Sequence, residues 1–103
     1  MRAMNPSMTE MRPHAVEAAK LLKALAHETR LSILCLLAQG EMTVSQLHQQ
    51  LDLSQSALSQ HLAVLREDGL VRTRRESQHI HYSLAGDKAA RIVTLLHDMY
   101  CRK

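Results

Sequence analysis

Two cysteines and a pair of closely spaced histidines are the side chains of this 103-residue sequence with the most evident chemistry. Cys35 and Cys101 could form thiolates, which attack oxidants and other sulfur compounds. His79 and His81 are two positions apart, so on a strand they would share one face. They could ligate a metal ion there, or they could simply be exposed polar residues.

A local excess of positive charge marks the second half of the chain. Residues 1–53 contain five Lys or Arg and five Asp or Glu, whereas residues 54–103 contain eight and five. Three of these cations lie within four positions: Arg72, Arg74 and Arg75. A basic cluster on a nearly neutral protein favours contact with a polyanion at one place, although a charged turn in solvent would have the same composition.

The composition predicts one mostly helical domain. The chain is 46% hydrophobic and contains three Gly and two Pro, too few for a turn-rich β-sandwich. Residues 1–13 contain both prolines and no apolar periodicity, which predicts a flexible N-terminal tail before one domain over residues 14–103. No apolar run approaches the roughly 20 residues that cross a bilayer, and no signal peptide is evident, so we expect a cytoplasmic protein.

Two helices are predicted after this tail. Apolar residues at helical spacing predict an amphipathic helix over residues 14–25 and a second helix over residues 27–38, which Gly40 ends. The second helix is apolar on most sides, so we expect it to be buried. A Cys35 buried among its leucines would stay protonated and react slowly.

Two capped helices joined by a short break come next. Thr43 and Gln46 have the spacing of a capping box, which begins a helix that ends near Leu51. The segment Asp52–Ser54 makes a tight break, and Ser54 is a typical N-cap for the following helix, which stops at Asp68–Gly69. This arrangement predicts a helix–turn–helix.

A β-hairpin and a last helix complete the chain. Residues 70–74 and 78–84 alternate apolar and polar side chains, which predicts two antiparallel strands around a turn near residues 75–77. From Asp87 to about Cys101, apolar residues form one helical stripe at positions 89, 92, 93, 96, 99 and 100. The predicted fold is mainly α with a small β-hairpin, a winged helix–turn–helix in the order α-α-α-α-β-β-α.

The second helix of the helix–turn–helix is predicted to contact DNA. Its apolar face would pack inward through Ala57, Leu58, Leu62 and Leu65. Its opposite face carries neutral hydrogen-bonding side chains suited to base edges: Gln55, Ser56, Ser59, Gln60 and, near the edge, His61. Any surface helix could carry such residues, so the prediction depends on their combination with the caps, the break and the basic hairpin.

Contacts with DNA phosphates must come from outside that face, because no Lys or Arg lies between Arg30 and Arg66. The cationic candidates are Arg66, Arg72, Arg74 and Arg75. Uncharged contacts, through side chains and exposed amides, could come from the start of the preceding helix: Thr43, Ser45 and Gln46.

The stretch from Leu53 to Val71, LSQSALSQHLAVLREDGLV, closely resembles the recognition region of the ArsR/SmtB family of bacterial repressors. Residues 26–34, AHETRLSIL, resemble the family's entry into its second helix, and residues 73–84 look like its wing. The resemblance covers residues 15–101 and implies a homodimer joined by its first and last helices. Two-fold symmetry then predicts a double-stranded inverted-repeat operator with half-sites roughly 34–36 Å apart.

The metal sites of this family have no counterpart in the sequence. The family's thiolate site needs clustered cysteines in the segment from Glu41 to Leu47, which contains none. Its other site needs Asp-x-His and His-x-x-His on the last helix. Here Asp87 is followed two positions on by Ala89, and His97 is followed three positions on by Tyr100. We therefore predict no metal ion and no other cofactor.

The two cysteines are similar to those of one branch of the family, the HlyU/BigR/SqrR type. Leu34-Cys35-Leu36 and Tyr100-Cys101 match its pattern, in which the two thiols form a switch that responds to reactive sulfur species or oxidants. Sequence spacing alone does not bring the cysteines together; the family fold does. The resemblance implies that the free thiols permit DNA binding and that a disulfide or a polysulfide bridge releases it. Cys101 is flanked by Arg102 and Lys103, whereas a buried Cys35 would react slowly, so we expect Cys101 to attack first.

Other functions remain open at this stage. A metal-responsive regulator could use the wing histidines, His97 or Cys101, and a DNA-binding protein could carry two inert cysteines. A thiol peroxidase is disfavoured because no substrate-pocket motif is evident, so we predict that the chain is not an enzyme. A repressor and an activator that displaces another silencer would use the same DNA-binding residues.

Overall fold

The computed structural model describes residues 7–101 as helices around a small sheet. The helices are α1 (Met8–Met11), α2 (Ala15–Leu25), α3 (Glu28–Ala38), α4 (Val44–Gln50), α5 (Gln55–Glu67) and α6 (Lys88–Cys101). The strands are β1 (Met42–Thr43), β2 (Val71–Glu76) and β3 (His79–Leu84). The predicted winged helix–turn–helix is therefore confirmed. Within residues 7–101, no helix has the length and apolar content needed to cross a membrane.

Helical turns occupy part of the segment predicted as a flexible tail. The side chain of Ser7 caps α1, and a 3₁₀ turn follows over Arg12–His14 with Pro13 at its start, where a missing N–H costs nothing. Every residue from Ser7 to Met11 is exposed, so these turns pack little against the domain. Residues 1–6 of the predicted tail lie outside the described residues.

The predicted caps determine where the two helices of the helix–turn–helix begin. Thr43 Oγ1 accepts from the amide of Gln46 at 3.2 Å, and Gln46 Oε1 accepts from the amide of Thr43 at 2.9 Å, which confirms the capping box. Ser54 Oγ accepts from the amide of Ala57 at 3.1 Å. Gly69, with a φ of 75°, then ends α5 in the left-handed conformation that glycine adopts without strain.

The wing is a three-stranded antiparallel sheet in the order β1-β3-β2, rather than a two-stranded hairpin. The extra strand was not predicted, and it pairs Met42 with Tyr82. The predicted turn was placed too early, because Glu76 still pairs with His79 and leaves a two-residue connection. Its first residue, Ser77, has a φ of 57°.

The core consists almost entirely of leucine and other aliphatic side chains. The largest fully buried side chains are Ile33, Leu34, Leu47, Leu58, Leu62 and Leu65. They come from α3, α4 and α5, and α6 adds Ala89 and Val93. Because α5 packs its leucines into this core, its opposite face is turned to solvent.

Candidate nucleic-acid interface and thiol pair

The outward face of α5 carries four exposed polar side chains. The two caps at Ser54 and Gly69 fix where the helix begins and ends, and burial of its leucines fixes its rotation. The exposed residues are those predicted for base contacts: Gln55, Ser56, Ser59 and Gln60. Glutamine and serine side chains of this kind hydrogen-bond to base edges in the major groove.

His61 differs from these four because it is half-buried. Its ring centroid lies 4.6 Å from that of His27, with the ring planes inclined at 55°. Burial, followed by the neighbouring His27 and Arg30, holds the pKa of His61 below its ordinary value. The ring therefore packs toward the start of α3 and is less available to a base edge than its neighbours.

The start of α4 offers polar groups beside α5. In the capping box, the side-chain oxygens of Thr43 and Gln46 each accept a hydrogen bond. The hydroxyl hydrogen of Thr43 and the side-chain NH₂ of Gln46 can still donate. Ser45 is exposed in the first turn. These groups have the chemistry of uncharged phosphate contacts.

The arginines of the wing are divided between the two faces of the sheet. Arg72 and Arg74 lie on one face, opposite Ser83 and His81, whereas Arg75 lies on the other face, opposite Ile80. Within residues 7–101, neither Arg66, Arg72 nor Arg75 forms an ion pair. Their charges are therefore available to a polyanion.

Arg74, in contrast, is held by two carboxylates. Its Nε and Nη2 donate to the carboxylate of Glu41 at 3.2 and 2.7 Å, and its Nη1 donates to Glu76 at 3.1 Å. These hydrogen bonds raise the pKa of Arg74 and lower that of Glu41. Of the four predicted phosphate contacts, Arg74 is the one whose charge is already compensated within the protein.

The wing histidines differ in their surroundings. His81 lies 3.9 Å from Glu41 and 3.6 Å from Glu76, next to Arg74, while His79 is exposed. Within the described part of the chain, no group of three or more His, Cys, Asp or Glu side chains is arranged to hold a metal ion.

The two cysteines lie on helices that pack against each other, α3 and α6. Both are free thiols and both are exposed, so Cys35 does not have the burial that would make its thiol slow to react. The buried face of α3 is formed by Ile33, Leu34 and Leu37, which turns Cys35 outward. Partial desolvation and then the nearby Cys101 raise the pKa of Cys35, so the two thiols interact electrostatically.

The helices at the two ends of the domain leave large apolar side chains in solvent. On α2, Val16 is 81% and Leu22 is 58% exposed. On α6, Leu95 and Met99 are each 57% exposed and Tyr100 is 81% exposed. These are the two helices predicted to form an interface between subunits, and the exposed side chains supply an apolar surface for one.

Two residues of this region were missed by the sequence analysis. Glu41 precedes β1 and binds Arg74, and His27 caps α3 and contacts His61. A histidine before an acidic first turn is a weak sign of a helix cap. Nothing in the sequence marks Glu41, because its partner lies 33 residues away.

Known proteins with similar sequences and structures are bacterial transcriptional regulators. The sequence profile of the family described as bacterial regulatory protein, arsR family, matches residues 27–73. The transcriptional activator HlyU of Vibrio cholerae is 49% identical over 96 residues, which is 93% of this chain and 89% of that protein. Its structure in a form described as reduced has a TM-score of 0.84 at 51% identity, covering 89% of this chain and 97% of that one.

Two further structures extend the comparison. The transcriptional repressor BigR from Xylella fastidiosa has a TM-score of 0.87 at 43% identity, covering 95% of this chain and all of that one. A homodimeric winged helix–turn–helix DNA-binding domain from Mycobacterium bovis has a TM-score of 0.77 at 33% identity, covering 94% of this chain and 88% of that one.

Proposed function

The chain belongs to the ArsR family of bacterial regulatory proteins, and we propose that it is a homodimeric, DNA-binding transcriptional regulator controlled by Cys35 and Cys101. Linking the two thiols is proposed to lower its affinity for its operator. The observation that carries this proposal is that α3 and α6 pack together with both thiols free and exposed, close enough for Cys101 to raise the pKa of Cys35.

In this proposal, α5 enters the major groove. Its exposed residues contact base edges: Gln55, Ser56, Ser59 and Gln60, with His61 at the edge. Phosphates are contacted by uncharged groups of Thr43, Ser45 and Gln46 and by the guanidinium groups of Arg66, Arg72 and Arg75. Arg74 contributes mainly by holding the wing in place.

The subunits are proposed to associate through α2 and α6. The exposed apolar residues of these helices would be covered by a second copy, as the homodimeric Mycobacterium bovis relative suggests. Two copies of α5 related by a two-fold axis then require an inverted-repeat operator with half-sites about 34–36 Å apart.

The chemistry of the switch is a two-electron oxidation of the thiol pair. Hydrogen peroxide would convert two thiols into a disulfide and two waters. One equivalent of an organic persulfide would yield the disulfide, a thiol and hydrogen sulfide. Two equivalents would yield a bridge with one additional sulfur atom, two thiols and hydrogen sulfide. We assign the first attack to Cys101, because the raised pKa of Cys35 lowers the fraction of its thiol that is present as the reactive thiolate.

The effect on DNA would follow from the position of Cys35. The helix that carries it packs against α5 as well as against α6. A covalent link between α3 and α6 favours one arrangement of these helices, and any shift of α3 moves the DNA-contacting helix of each subunit. The free energy of linking is thereby coupled to the free energy of DNA binding.

Intact-mass measurement under anaerobic conditions tests whether the link forms. The reduced protein is treated in parallel with an organic persulfide and with hydrogen peroxide, and Cys35→Ser is the control. The proposal expects a loss of two hydrogens, or a gain of whole sulfur atoms less two hydrogens, that requires both cysteines. Response to the persulfide alone would identify reactive sulfur as the signal. If neither reagent links the cysteines, the protein is a regulator with inert thiols.

A further inference from the structure

The imidazole of His27 makes two contacts that join α3 to α5. Its Nδ1 accepts a hydrogen bond from the amide of Thr29 at 3.2 Å, so the side chain is the N-cap of α3. Its ring also lies against the ring of His61 on α5, with centroids 4.6 Å apart. One side chain therefore both begins α3 and supports the helix proposed to contact DNA.

We propose that His27 is a positioning residue for DNA binding: its ring holds His61, and with it α5, against the start of α3, and protonation of His61 releases α5. This inference rests on the proposed function only in that α5 contacts DNA. It does not involve Cys35 or Cys101, and it concerns the protein with both thiols free.

The cap requires the unprotonated ring. A ring nitrogen that accepts a hydrogen bond carries no hydrogen. With a hydrogen on Nδ1, His27 could not accept from the amide of Thr29, and two N–H groups would face each other. The imidazolium would also lie at the N-terminal end of α3, where the partial positive charge of the helix opposes a cation. The hydrogen bond that caps α3 therefore belongs to the neutral ring of His27, the same ring that contacts His61.

His61 is disfavoured as a cation for a different reason. Within residues 7–101, the groups whose charges lower its pKa are His27 and Arg30, both on the α3 side; α4 and β2, which also pack against α5, contribute none. Arg30 is fixed there, since its Nε donates to the carbonyl of Ala24 at 3.0 Å. Because the folded state lowers the pKa of His61, stability falls as the pH drops below about 6.5, its value in an unfolded chain.

The DNA-contacting residues respond because they share a helix with His61. Gln60 precedes it directly and Ser59 lies two positions before it. A change in the position of α5 relative to α3 therefore moves both side chains. Operator affinity should consequently fall with acidification. A direct contact between His61 and a phosphate would produce the opposite trend, since protonation would then strengthen binding.

The test measures operator affinity of the reduced protein by fluorescence anisotropy from pH 8 to pH 5.5 at constant ionic strength. The DNA is an operator selected from random double-stranded sequences by the reduced protein at pH 8. The variants are His27→Asn, which keeps a good N-cap but removes the ring that contacts His61, and His61→Gln. His79→Asn, on the exposed wing, is the matched control. Circular dichroism at both pH limits verifies folding.

We expect wild type and His79→Asn to lose affinity at least about fivefold on acidification, while His27→Asn and His61→Gln change much less. Wild-type affinity that rises at low pH, or a His27→Asn profile equal to wild type, would overturn the proposal. Gln60→Ala separates the two hypotheses. If Gln60→Ala leaves affinity unchanged, α5 is not the DNA contact, and both the proposed DNA interface and the role of His27 are wrong. If Gln60→Ala lowers affinity, a His27→Asn pH profile equal to that of wild type contradicts only the positioning role of His27.

Discussion

The guanidinium of Arg74 forms two hydrogen bonds with the carboxylate of Glu41, at 3.2 and 2.7 Å, across 33 residues of the chain. Glu41 directly precedes β1, and Thr43 at the end of β1 caps α4. The ion pair therefore connects the wing to the first helix of the helix–turn–helix. Arg74 thus differs in its ion pairing from Arg72, which lies two residues earlier on the same face.

Substitutions at these two arginines should separate positioning from phosphate contact. Arg72→Gln is expected to reduce the slope of log affinity against log salt by about 0.9 per subunit, because one phosphate contact is lost. Arg74→Gln is expected to lower affinity with little change in slope, since its charge is compensated by Glu41 and Glu76. Operator titrations at several salt concentrations measure both, and equal slope changes would place Arg74 on the phosphates.

The dimer interface can be tested at Leu22, which is 58% exposed on α2. Leu22→Asp should yield a folded monomer, because the side chain contributes little to the core but would place a charge in an apolar interface. Operator affinity should fall at least about tenfold, as two linked half-site contacts become independent. Analytical ultracentrifugation measures the state, with Gln39→Asp as the control for added charge. A dimeric Leu22→Asp protein would exclude α2 from the interface.

The core prediction concerns Leu58, which is fully buried on the inner face of α5. Leu58→Ala should lower the free energy of unfolding by about 2–5 kcal/mol. The substitution removes buried apolar atoms and leaves a cavity in the core. Met8→Ala, at a side chain 68% exposed, should change it by less than about 0.5 kcal/mol. Urea denaturation measures both. Similar values for the two variants would mean that α5 is not packed as described.

Local chemistry explains why much of the fold could be predicted. The capping residues Thr43, Gln46 and Ser54 act over three positions, so the sequence itself indicates where α4 and α5 begin. Gly69 marks the end of α5 in the same local way. The polar face of α5 followed from helical spacing alone, and all four of its exposed members lie where that spacing predicts.

Contacts between distant residues explain what the sequence did not predict. Strand β1 is two residues long and forms because β3 pairs with it, so no local sequence pattern predicts it. The exposure of Cys35 depends on which face of an apolar helix meets the core, which packing decides. The same holds for the contact of His27 with His61 and of Glu41 with Arg74, each between residues more than 30 positions apart.

The most direct test of the central proposal compares operator affinity before and after the cysteines are linked, on one preparation whose degree of linking is known from its mass. The proposal predicts that linking weakens operator binding at least about tenfold, that a dithiol reductant restores it, and that neither Cys35→Ser nor Cys101→Ser responds. Unchanged affinity in fully linked protein would contradict it, and the two thiols would then have no part in controlling DNA binding.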